Sequence, residues 1–149
     1  MNKENFDLQK NLDLALKNIQ KRNFTEATKI YENILKIHPS NFDANMNLGT
    51  IYAENNNLKR ASELWTKAIK INPNMPAAHN NLASVYMRSG DNTKAREHID
   101  YALKINPNFS LAYNNLGMLN NIEKKVEDAK KNFLKAIELD PKNIMSHYN

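Results

Sequence analysis

The chain has 149 residues, no cysteine, three glycines and five prolines, with 41% hydrophobic and 25% charged residues. Disulfides, thiolate nucleophiles and zinc sites built on cysteine are excluded, a loop-rich β fold is disfavoured, and one ordinary helical domain is the expected scale. A net charge of +5 and a pI near 9.3 raise nucleic acid and anionic membrane as partners, a question that turns on where the lysines fall.

The opening stretch, MNKENFDLQKNLDLAL, spaces its apolar residues and carries Glu4 and Asp7. It is neither a secretory signal nor a membrane span, so a cytoplasmic location is the expectation. Residues 1–7 read as an N-terminal extension. From there the prolines set a ruler, because Pro39, Pro73, Pro107 and Pro141 are spaced by 34 residues each time within ILKIHPSN, AIKINPNM, ALKINPNF and AIELDPKN. Four units follow: 8–41, 42–75, 76–109 and 110–143.

Each unit predicts two amphipathic helices of roughly 13 residues. Leu14, Leu48, Leu82 and Leu116 stand at the seventh place, followed by Ala15, Gly49, Ala83 and Gly117, small residues where two helices approach closely. In the second helix Ala27, Ala61, Ala95 and Ala129 precede Tyr31, Trp65, Ile99 and Phe133 by one turn, on the same face. Two aliphatic columns complete it: Leu35, Ile69, Leu103 and Ile137, then Ile37, Ile71, Ile105 and Leu139. Polar breaks such as ENNN and RSGDN separate the helices, with Asn56 and Gly90 suited to a left-handed helix end. Ser40, Asn74 and Asn108 stand where the next helix could be capped, and Glu32 with Lys36 and Glu63 with Lys67 are spaced as helix-supporting ion pairs.

This pattern resembles the tetratricopeptide repeat (TPR), an antiparallel helix pair of 34 residues. The second unit carries Leu48, Gly49, Tyr52, Ala61, Trp65, Ala68 and Pro73; the third Leu82, Ala83, Tyr86, Ala95, Ala102 and Pro107; the fourth Tyr113, Leu116, Gly117, Ala129, Phe133, Ala136 and Pro141. The first departs, with Asn11, Asn18 and Ile34 at family positions, and reads as an N-terminal cap. The resemblance implies an all-α, right-handed superhelical solenoid with a concave groove lined by the first helix of each pair. In that register residues 144–149 begin a truncated fifth repeat, expected to form at most one frayed turn.

Groove positions carried over from the family place Asp13, Asn47, Asn81 and Asn115 at one height. A carboxamide donates and accepts at once, so a row of them can hold a peptide backbone; the row is similar to the asparagine ladder of the O-GlcNAc transferase repeat domain. Asp43, Met46, Asn80, Ser84, Met87, Arg88, Asn114 and Met118 are the neighbouring peptide-binding candidates. With 26 asparagines in the chain, residue type alone carries little weight at any one of them. The carboxylate clamp of chaperone-binding relatives is not carried over, since its second positions hold Gln9, Asp43, Ala77 and Leu111.

The charged groove positions are Asp13, Asp43, Glu54 and Arg88, while Lys59, Lys67, Lys70, Lys94, Lys104, Lys131 and Lys135 fall on exposed places of second helices. The basic pI therefore reads as a solvated outer face, and a groove without phosphate-neutralising side chains disfavours RNA. His38, His79, His98 and His147 form no metal-ligand spacing, and no nucleophile has a base beside it. No catalytic residue, metal or cofactor is expected. The function expected is a protein interaction scaffold or adaptor, not an enzyme, with a protein or peptide as partner and neither nucleic acid nor membrane. Alternatives are the repeat segment of a larger glycosyltransferase or sulfotransferase, RNA binding by the groove, and self-association through an open C-terminal end.

Overall fold

The computed structural model describes residues 8–142, so the expectations for residues 1–7 and 144–149 lie outside the described residues. All the regular structure within that span is helical: α1 (Leu8–Gln20), α2 (Phe24–Ile37), α3 (Phe42–Glu54), α4 (Leu58–Ile71), α5 (Pro76–Arg88), α6 (Asn92–Ile105), α7 (Ser110–Ile122) and α8 (Val126–Leu139). Two compact units divide at Pro73, the first holding α1 to α4 and the second α5 to α8. In the first, α1 packs on α2, α2 on α3 and α3 on α4; in the second, α5 packs on α6, α6 on α7 and α7 on α8, with α5 also touching α7.

Close approach inside a pair follows from residue size. A Cβ added at Gly49 would stand 2.6 Å from Trp65 Nε1, and one at Gly117 would stand 2.5 Å from Phe133 Cε1. The Trp65 ring, seated on Gly49, also donates from Nε1 to the Met46 carbonyl at 3.1 Å. The first unit's core gathers Leu12, Ala15, Tyr31, Ile34, Leu48 and Leu64, while the second unit's is alanine-rich, with Ala83, Ala95, Ala102 and Ala112 around Ile99 and Leu119. Burying such side chains contributes roughly 25 cal/mol per Å² of apolar surface. Three apolar positions depart from expectation: Leu14, Ile37 and Ile71 are 46%, 54% and 38% exposed. α1 turns Leu12 and Ala15, not Leu14, toward α2, and the two isoleucines are the last residues of their helices.

Helix ends correct the sequence reading. The caps fall one residue later than Ser40, Asn74 and Asn108, at Asn41, Met75 and Phe109, and of these only Asn41 caps with its side chain, accepting from the Ala44 amide at 2.8 Å. Pro76, with no N–H to satisfy, opens α5. Asn23, Asn57 and Asp91 cap the second helices α2, α4 and α6. Asn56 and Gly90 are left-handed as expected, and so are Arg22 and Lys124 in the same column, with φ of 57° and 60°. Neither anticipated ion pair forms. Glu32 accepts from the Tyr52 hydroxyl at 2.7 Å, and Glu63 pairs with Arg60 at 3.0 Å. In the second unit Arg96 of α6 reaches Asn120 and Glu123 at the end of α7, at 3.0 and 2.8 Å.

The second unit also joins two histidines that are 19 residues apart in sequence. His79 of α5 and His98 of α6 bring their Nδ1 atoms to 3.0 Å, so one nitrogen donates and the other accepts. His79 lies 4.5 Å from the Tyr101 ring and His98 stacks on Tyr86 at 5.5 Å, with Lys94 5.3 Å from the Tyr86 centroid. Burial, then the neighbouring His79, holds the His98 imidazole below its ordinary 6.5, with Glu97 acting the other way.

Two outcomes are expected. Gly117→Ala should lower the urea midpoint by the equivalent of about 1–3 kcal/mol, because the added methyl has no room beside Phe133; an unchanged midpoint would mean that the ring swings aside at no cost. As pH falls, the unfolded chain protonates His98 before the folded chain does, so stability is complete above the ordinary histidine value and declines below it. The midpoint should therefore drop as the pH falls below the ordinary histidine value, and drop less in His98→Gln. Asp91 and Glu123, held below the ordinary carboxylate range by Lys94 and by Lys125 with Arg96, keep their charge over the histidine transition.

Candidate functional site

The first helices carry the candidate surface. On α3 a spacing of four, three and four residues brings Asp43, Asn47, Thr50 and Glu54 onto one stripe, since each step returns to within about 40° of the same direction. Asp43, Thr50 and Glu54 are exposed and Asn47 is half-buried. Thr50 turns its hydroxyl back onto the Met46 carbonyl at 3.2 Å, and Met46 itself is half-buried. Beneath the stripe lies Tyr31 of α2, fully buried, whose hydroxyl meets no hydrogen-bond partner within the protein. Burial pushes this phenol up to about 12, Asn47 offsets part of the shift and the Asp43 carboxylate adds to it. On α1 the exposed Asp13 is engaged by Gln9 of its own helix, Nε2 to Oδ1 at 2.9 Å.

The second unit repeats the register. α5 presents Ala77, Asn81, Ser84 and Arg88, and α7 presents Leu111, Asn115, Met118 and Ile122. Here α5 and α7 touch, and Asn115 bridges them: its amide nitrogen donates to Asn80 Oδ1 at 2.8 Å, to Ser84 Oγ at 3.1 Å and to the Asn80 carbonyl at 3.4 Å. Asn115 is 8% exposed, so its amide hydrogens brace the unit from inside and its carbonyl oxygen is what remains for a ligand. Asn80 and Asn114 are buried as well, the latter donating to Met118 Sδ at 3.7 Å. Asn81, Met87 and Met118 are half-buried and Arg88 is exposed at the end of α5, while Leu111 and Ile122 are 44% and 52% exposed.

Three identical residue types at one repeat position thus meet different surroundings. Sequence reading missed the Asn115 bridge because it needs Asn80, one place off the stripe, and it missed the His79 and His98 contact because neither lies near the other along the chain. Among the described residues no three His, Cys, Asp or Glu side chains come together to hold a metal ion.

Comparison with known proteins follows the same pattern. Models described as TPR repeat or tetratricopeptide repeat match residues 18–65, 49–90, 76–109 and 111–143. No curated protein matches the chain. Among solved structures, MamA from Desulfovibrio magneticus RS-1 is 19% identical with a TM-score of 0.80 over 95% of this chain and 80% of that one. PilF of Pseudomonas aeruginosa is 24% identical with a TM-score of 0.78 over 90% of this chain and 61% of that one. The first TPR of Spaghetti (RPAP3), solved bound to the HSP90 peptide SRMEEVD, is 26% identical with a TM-score of 0.64 over 70% of this chain and 82% of that one. With helix pairs, small-to-large contacts and family models in agreement along residues 18–143, the chain belongs to the tetratricopeptide repeat proteins.

Proposed function

We propose that the chain is an interaction scaffold that holds an extended segment of a partner polypeptide on the stripes of its first helices. The observation that carries this reading is the pair of half-exposed amides, Asn47 on α3 and Asn81 on α5, each at the same repeat position and each with an exposed charged residue on its own stripe, Asp43 and Arg88. Such an amide can meet a peptide unit of the ligand through its donor, its acceptor or both, leaving sequence choice to neighbours such as Asp43, Ser84, Met87 and Met118. The RPAP3 repeat domain, solved with an HSP90 peptide, supports a peptide as the class of ligand. The ligand of this stripe would differ in chemistry from an acidic tail, because Asp43 and Glu54 are exposed on α3.

Asn115 is a poor probe of this surface, since Asn115→Ala removes the α5 to α7 bridge and costs about 1–3 kcal/mol of stability. The clean variant is Asn47→Ala with Asn81→Ala. Partners captured from the host by the parent chain should be lost or weakened about tenfold by this variant, with helicity by circular dichroism unchanged. Equal capture by both chains would sink the amide reading.

Self-association is a second reading, favoured by the outer face of α8. There Val126 and Leu134 are 65% and 58% exposed, and Leu134 lines a cleft of about 770 Å³ together with Tyr113, Lys131 and Lys135. Sedimentation velocity should show a mass that grows with concentration and a monomer for Leu134→Ser; a parent chain monomeric throughout would end this reading.

A further inference from the structure

The α3 stripe joins uncompensated negative charge to a buried polar group without a partner. Elsewhere in the first unit, carboxylates are engaged: Glu26 with Lys29 at 3.4 Å, Glu63 with Arg60 at 3.0 Å, Glu32 with the Tyr52 hydroxyl and Asp13 with Gln9. Asp43 and Glu54 make no ion pair among the described residues, in a chain whose net charge is +5. Asp43 in the first turn of α3 favours the helix dipole, so it has a structural use. Glu54 does not. As the last residue of α3 it stands at the negative end of the dipole, where a carboxylate is disfavoured and no basic residue sits in the last turn to answer it.

Between these acids, the Asn47 amide neighbours the buried Tyr31 hydroxyl and acts on it as a hydrogen-bonding group, although no well-aligned hydrogen bond forms there. A buried hydroxyl left unpaired is destabilising, and the nearby amide has the group that answers it. If the Asn47 amide turns its NH₂ inward to the phenol oxygen, its carbonyl points outward and joins the Asp43 carboxylate as an acceptor. Two acceptors side by side, one of them charged, suit an ammonium or guanidinium, which offers several N–H donors and no acceptor.

We propose that the α3 stripe of Asp43, Asn47, Thr50 and Glu54 binds a lysine- or arginine-bearing segment of the partner polypeptide, with Tyr31 acting as a positioning residue through Asn47. The proposal rests on the scaffold reading and names the chemistry of its ligand. It runs against the bulk electrostatics of the molecule, since a basic peptide is repelled by a chain of net charge +5 unless a local site overrides that field.

That opposition supplies the test. Fluorescein-labelled peptides of alternating lysine and serine, the same with glutamate for lysine, and an all-serine control are titrated by anisotropy against the full chain. The lysine peptide should bind, while the glutamate and serine peptides should not. Glu54→Gln and Asp43→Asn should each weaken binding about tenfold, with raised salt acting in the same direction. Tyr31→Phe should weaken it about threefold without lowering the unfolding midpoint, an effect that a purely structural tyrosine would not produce. Equal binding of lysine and glutamate peptides, or lysine binding indifferent to both acid variants, overturns the proposal. So do amide shifts confined to α5 and α7 in the NMR spectrum of the lysine complex. No lysine binding, with partner capture still lost in the Asn47→Ala, Asn81→Ala variant, overturns it and leaves the scaffold reading standing.

Discussion

The contact on which each helix pair depends sets a residue with little or no side chain on one helix against a large one on the next. Gly49 under Trp65 and Gly117 under Phe133 leave no room for even one added carbon. In the second unit's other pair, Ala83 belongs to the same cluster as the smaller Ile99. Interiors packed at crystal-like density do not absorb a misplaced methyl, so this pairing fixes the rotation of each first helix about its axis. Once that rotation is set, so is the opposite face, and Asp43, Asn47, Thr50 and Glu54 become a surface stripe because Gly49 and Leu48 face inward.

Asparagine shows how packing divides one residue type among several tasks. Asn45 is fully buried and donates to the Pro39 and Asn41 carbonyls at 3.0 and 2.7 Å, tying the turn between α2 and α3. Asn23 and Asn57 cap helices, Asn115 braces α7 against α5, and Asn47 and Asn81 remain half-exposed. Residue abundance alone would scatter asparagine over the surface. It does not explain these placements, which follow from an amide's capacity to satisfy a donor and an acceptor wherever the backbone leaves one unpaired.

Charge is sorted on similar grounds. Most lysines lie on second helices in water, where exposed pairs such as Lys29 with Glu26 add little to stability. The acids of α3 lack such partners, and the buried His79 shares a hydrogen bond with the half-buried His98, a contact that two imidazolium ions at 3.0 Å could not make because both nitrogens would be donors. The described residues thus present acid on one first-helix surface, a half-buried aromatic and imidazole cluster in the second unit, and lysines along the second helices.

Most of the fold was legible in the residue order. The 34-residue spacing of Pro39, Pro73, Pro107 and Pro141, and the apolar columns between them, determine eight helices, their pairing and the family, because helix formation and helix breaking depend on local spacing. Sequence order also determined which residues share a stripe, a property of 3.6-residue geometry alone. Tertiary structure decided what each stripe residue can do. That Asn115 is committed to Asn80 and Ser84, that Glu32 goes to Tyr52 and not to Lys36, and that His79 meets His98 all require atoms from different helices within about 3 Å. Hydrogen bonds act only over that range, and periodicity along one helix says nothing of what a neighbouring helix brings across the gap.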